Sequence, residues 1–110
     1  MIELAQRKCK PCEAGQQPLK GAQLSKLFGQ LKGWELIEEQ QLRKAYRFPN
    51  FVEALEFVNR IGELAEEEGH HPDIFLTWGK VRVDLSTHKI NGLSENDFIM
   101  AAKFDDANPA

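Results

Sequence analysis

Apolar positions along this chain change their spacing repeatedly, and each change marks an element. Leu24, Leu27, Phe28 and Leu31 recur at i, i+3, i+4 and i+7, the period of one helical face, and Gly33 follows where a C-terminal cap would sit. From Trp34 the period shortens to two. Trp34 and Leu36 share a face, "EEQQ" supplies a polar turn, and Leu42, Tyr46 and Phe48 alternate with Arg43, Ala45 and Arg47. Lys44 interrupts the apolar side, but two short aromatic-containing runs around a turn still predict an antiparallel hairpin. Pro49 has no N–H for a ladder and ends the second strand, and Asn50 is a good N-cap. Phe51, Ala54, Leu55, Val58, Ile61, Leu64 and Ala65, with Phe57 beside them, then form a long helical stripe that stops at Gly69.

Beyond Pro72 the spacing returns to two. "DIFLTW", a tight Gly79-Lys80 connection, and Val81, Val83 and Leu85 alternating with Arg82, Asp84 and Ser86 predict a second hairpin. Asn91-Gly92 turns the chain, Ser94 caps, Asp97 takes the capping-box position, and Phe98, Ile99 and Ala102 begin a last stripe. The predicted order is α-β-β-α-β-β-α. Hairpins separated by helices imply an α+β fold, a four-stranded antiparallel sheet with three helices packed on one face. Residues 1–18 are polar and carry Pro11, Gly15 and Pro18, so they read as an N-terminal arm before a single domain over 19–110.

Composition narrows the function classes. A chain of 110 residues has a limited core, and association with further copies would help bury apolar surface. With 28% charged residues, a net charge of -3 and a pI near 5.6, it lacks the positive field that supports direct nucleic-acid binding. No window approaches the roughly 18 to 20 apolar residues of a membrane span, and the N-terminus shows no apolar leader core, so the cytoplasm is the expected location. Cys9 and Cys12 form one C-x-x-C. Zinc generally needs four ligands and a thioredoxin-like pair sits beside a βαβ pattern, so the simplest reading is a mobile arm with two ordinary thiols. A zinc shared between chains, or a redox couple, are the alternatives.

The chemistry concentrates in "EEEGHHPDIFLTW", residues 66 to 78. Glu66 lies four residues before His70, a spacing at which the carboxylate can orient or charge the imidazole. His71 is turned about 100° from His70 if helical geometry continues, so the two face different partners. Adjacent histidines seldom ligate one metal in the way an i, i+4 pair does. His88 follows the fourth strand in step with Arg82, Asp84 and Ser86, on the polar face. The three histidines could converge beside the sheet, as a metal site, as a proton-transfer site, or as unrelated surface groups.

Glu66, three residues, His70-His71-Pro72, five residues, Trp78, nine residues, His88, eight residues, Asp97: this spacing resembles the signature of the pterin-4a-carbinolamine dehydratase family. The length, the element order and the closing "GLSENDFIMAA" resemble it too, and the CxxC arm resembles bacterial members associated with phenylalanine hydroxylase. The resemblance implies an α+β sandwich that assembles as a homodimer or homotetramer. It implies a hydro-lyase that removes water from 4a-hydroxytetrahydropterin to give the quinonoid dihydropterin, in tetrahydropterin recycling, with an aromatic amino acid hydroxylase as partner. By the same resemblance His70 and His88 are general acids for the two faces of the ring, and His71 binds and orients the pterin. Glu66 holds an imidazole in its productive tautomer, and Gly69, Pro72, Ser86, Thr87, His88 and Lys89 contact the substrate. Trp78 and Asp97 take supporting roles, with Asp97 architectural first. Gly69 departs from the acidic residue of mammalian relatives, so only a backbone contact is expected there. No metal or organic cofactor is implied, because imidazoles that donate protons cannot also give their lone pairs to zinc. Some animal members stabilise the dimer of a homeodomain transcription factor, so an interaction protein is the alternative function.

Overall fold

Cross-strand pairing of apolar residues builds the sheet. The computed structural model describes residues 3–11 and 15–108. Its elements are α1 (Gly21–Phe28), β1 (Glu35–Ile37), β2 (Gln41–Arg47), α2 (Phe51–Glu68), β3 (Asp73–Thr77), β4 (Lys80–Leu85) and α3 (Glu95–Ala107), with one-turn 3-10 segments at Leu4–Gln6 and His88–Ile90. The order matches the expected α-β-β-α-β-β-α. All pairs are antiparallel and the strands run β1-β2-β4-β3 across the sheet. Leu36 faces Leu42, Leu42 faces Leu85, Tyr46 faces Val81, and Ile74 faces Val83, so one face is apolar and packs under the helices.

Local signals set several boundaries. The Asn50 side chain accepts the Glu53 N–H at 2.9 Å and starts α2, and Gly69 ends it in the left-handed region at φ 68°. Ser94 and Asp97 close a reciprocal capping box on α3. Two expectations shift. α1 ends at Phe28, and Gly33, at φ 79°, serves instead as the bend into β1, where a Cβ would lie 3.2 Å from the Lys44 side chain. The buried stripe of α2 is Ala54, Phe57, Ile61 and Ala65, which puts Phe57 at its centre and turns Phe51, Val52 and Leu55 outward. The apolar arc of α2 is wider than the sheet can cover.

Lys44, the interruption in the first hairpin, is resolved by α3. Its ammonium donates to Asp105 at 2.7 Å and lies 5.0 Å from the Tyr46 ring centroid, so a cation is accommodated under a helix. α3 is buried continuously from Asn96 to Ala101 and again at Phe104, a wider band than the expected stripe, because α2, α1 and the N-terminal segment all pack against it.

That segment corrects the picture of a mobile arm. Leu4 is buried in the core, and Lys103 donates to the Ala5 carbonyl at 2.9 Å. Arg7 pairs with Glu95 at 3.3 Å, and Lys10 is tied to Asn96. Glu3–Pro11 is therefore a strap across α3. Further on, Pro18 packs so closely on Gly92 that a Cβ there would come within 2.7 Å. Cys12, the other half of the expected Cys9 and Cys12 pair, lies outside the described residues.

Candidate active site

Three chain segments meet at one cleft: the end of α2, the loop after β4, and the start of α3. The left-handed Gly69 stops α2 and sends His70 away from the helix axis, so its Nε2 lies 2.6 Å from Oδ1 of Asp97. Asp97 is fully buried at 0% exposure, and its other oxygen accepts the Thr87 hydroxyl at 2.7 Å and the Ser94 N–H at 3.0 Å. Thr87 and Ser94 also bond to each other at 2.9 Å. The first turn of α3 places the positive end of the helix dipole at this carboxylate, and each donor complements its charge. Asp97 is thus a cap and an anchor for His70 at once. With Nε2 held by the carboxylate, Nδ1 is the nitrogen of His70 left to exchange a proton with a ligand.

Glu66 does not orient His70 as the i, i+4 spacing suggested. It bonds His71 instead, because the helix has ended at Glu68 and the left-handed turn rotates both histidines off the helical register. That pair is solvated, with side-chain exposures of 59% for His71 and 78% for Glu66.

His88 sits outside strand geometry. β4 ends at Leu85, and His88 opens a 3-10 turn that closes with Asn91 at φ 52°. Thr87 N–H donates to the Gly92 carbonyl at 2.8 Å, which pins the base of this turn. The result is a cleft of about 540 Å³ lined by Gly69, His70, His71, Ser86, Thr87, His88 and Lys89, with further contributions from Glu68, Asn96 and the strap residues Cys9, Lys10 and Pro11. That volume lies within the roughly 300–1,000 Å³ of small-molecule sites.

The model of the pterin 4 alpha carbinolamine dehydratase family matches residues 17–107. The chain belongs to this family. A relative from Rubrobacter xylanophilus named after pterin-4-alpha-carbinolamine dehydratase is 56% identical over 105 residues, covering 96% of this chain and 98% of its own. A relative of the same name from Alkaliphilus metalliredigens is 50% identical over 106 residues, with 96% of each chain covered. Among solved structures, a transcriptional coactivator/pterin dehydratase from Brucella melitensis superposes with a TM-score of 0.78 at 28% identity, over 83% of this chain and 98% of that one. A pterin dehydratase-like protein described as a RuBisCO assembly factor reaches a TM-score of 0.61 at 22% identity, over 71% of this chain and 92% of that one, a likeness of fold alone.

Within this dehydratase-family fold the expected site residues divide into two groups. Gly69, His70, His71, Ser86, Thr87, His88 and Lys89 line the cleft, and Asp97 stands directly behind His70. Glu66, Pro72 and Trp78 do not line it. Trp78 is at the tip of the second hairpin and 68% exposed, because Thr77 and Lys80 pair to close the turn and leave its ring outside the sheet. Cys9, Lys10, Pro11, Glu68 and Asn96 were missed. Only their tertiary neighbours reveal them, since an arm and an acidic run carry no periodic signal. Among the described residues, no group of three or more His, Cys, Asp and Glu is placed to hold a metal ion, and no helix is long and apolar enough to cross a membrane.

Proposed function

We propose that this cleft dehydrates 4a-hydroxytetrahydropterin to the quinonoid dihydropterin, a hydro-lyase reaction of tetrahydropterin recycling. The single observation that carries this is the gathering of His70, His71 and His88 around one cleft, with the Asp97 carboxylate bonded to His70. The C4a–O bond breaks as the leaving oxygen takes a proton and departs as water. The N5 lone pair closes the C=N bond and N5 gives up its proton, so the reaction is redox-neutral and releases no net proton. An imidazole can donate or accept near neutral pH, and positioned proton transfer of this kind contributes about 10²–10⁴-fold. His70 and His88 serve as acids toward the two faces of the ring. His71, with Glu66 beside it, orients the pterin at the mouth, and Ser86 and Lys89 supply polar contacts.

The protein acts as a homodimer or homotetramer. Phe51, Val52, Leu55, Phe75 and Trp78 are all exposed, and β3 is an edge strand with one unpaired side, features that association would cover. Its hydroxylase partner is the enzyme that makes the 4a-hydroxy species, in the cytoplasm. Purified protein should speed decay of that species when a hydroxylase generates it; unchanged decay with folded protein would sink the proposal. A pull-down that recovers a transcriptional regulator instead of the hydroxylase would favour the interaction role.

A further inference from the structure

The strap is bound to the cleft by more than packing. The Asn96 carboxamide accepts the Lys10 N–H at 2.9 Å and donates to the Lys10 carbonyl at 2.5 Å, so one side chain grips both polar groups of one residue. Cys9 N–H donates to Glu68 Oε1 at 2.8 Å, which joins the strap to the last turn of α2 just before the histidines. The Cys9 thiol points to the Asn96 carbonyl at 3.8 Å. Cys9, Lys10 and Pro11 consequently line the same cleft as His70, His71 and His88. The strap precedes the residues matched by the family model, which begin at 17.

We propose that the strap is a wall of the ligand site, with Lys10 as a recognition residue for the pterin and Asn96 as the positioning residue that sets it. Lys10 is exposed at the cleft, while its backbone is fixed at both N–H and C=O. A tethered backbone reduces the freedom that the long side chain loses on binding. An ammonium offers three donors and no acceptor, which suits a pterin oxygen or ring nitrogen remote from C4a. In this role the strap contributes to binding and not to the chemical step.

This rests on the dehydratase reading of the cleft, and two measurements separate the fates of the two ideas. The first uses variants whose substitutions act from opposite sides. Lys10→Met removes the contact directly. Leu4→Ala with Lys103→Met loosens the strap from anchors that do not line the cleft. Both should raise KM by about threefold or more with kcat unchanged, the signature of lost uniform binding. The second measurement reads occupancy without turnover. In a full-length Cys12→Ser protein, Cys9 is the remaining thiol, and saturating 7,8-dihydrobiopterin should slow its alkylation by iodoacetamide. A strap that only braces α3 would lower thermal stability in the double variant, leave KM unchanged in all variants, and leave Cys9 labelling unprotected; that outcome overturns the wall. Loss of wild-type turnover with Cys9 still protected would overturn the dehydratase reading and leave the wall in place.

Discussion

Two of the aspartates on helix α3, Asp97 and Asp105, lie eight residues or about 12 Å apart along its axis and meet different partners. Asp97, in the first turn, is fully buried and receives a backbone N–H, a hydroxyl and an imidazole. Asp105, in the last turn, receives the Tyr46 hydroxyl at 2.6 Å, the Lys44 ammonium at 2.7 Å and the Trp34 indole N–H at 3.1 Å. The dipole favours a carboxylate at the first position and opposes it at the second, so Asp105 needs a cation and Asp97 does not. Each carboxylate accepts from three side-chain or backbone donors. The difference lies in the partners: those of Asp105 are structural groups of the first hairpin, whereas one partner of Asp97 is an imidazole that faces a cleft. Under the proposed function, Asp97 has a part beyond structure because the imidazole it holds lines the ligand cleft.

The largest effect should separate the two directly. Asp97→Asn should cost about 100-fold in kcat through loss of His70 orientation, close to the cost of His70→Ala, and single-turnover kinetics would read both. Retained kcat in Asp97→Asn would reduce Asp97 to a cap. Asp105→Asn should instead lower stability by about 1–3 kcal/mol in urea denaturation, since three donors lose a charged acceptor at a partly solvated site, with kcat unchanged. A fall in kcat there would dissolve the contrast.

Tyr46→Phe should cost about 0.5–1.5 kcal/mol, one hydrogen bond. It also carries a pH signature. Burial first, then the hydrogen bond to Asp105 and its negative charge, push the Tyr46 phenol well above its ordinary 10.0. The folded chain then keeps a proton that the unfolded chain releases, so this stability is full below pH 10.0 and declines as the pH rises past it. The gap between wild type and Tyr46→Phe should narrow above that pH; parallel curves would refute the linkage. The smallest effect belongs to Glu66→Gln, worth less than about 1 kcal/mol because the pair with His71 is solvated. Its mark should be a modest rise in KM.

Much of the fold was legible because its signals are local. Asn50, Gly69 and the Ser94 and Asp97 box act within four residues of chain, and both hairpins follow from period-two alternation around turns. The end of α1 is not legible locally, because Leu31 keeps the helical period while Gly33 is needed for a bend against Lys44. The buried side of α2 is ambiguous in the sequence because nearly half its circumference is apolar, and the periodicity cannot say which part meets the sheet. In the site, the histidines were found from their spacing, but Glu66 was assigned to the wrong imidazole, since an i, i+4 rule holds only while the helix continues.

The amino-acid sequence by itself determined the order of elements, their caps, and the places of the three histidines along the chain, because each depends on neighbours a few residues away. Only the tertiary structure decided which carboxylate meets which histidine, that Lys44 has an anion to sit on, and that an N-terminal strap reaches the cleft. Those contacts join residues 27, 61 and 86 positions apart, and no local period encodes which of many compatible groups comes to lie within 3 Å.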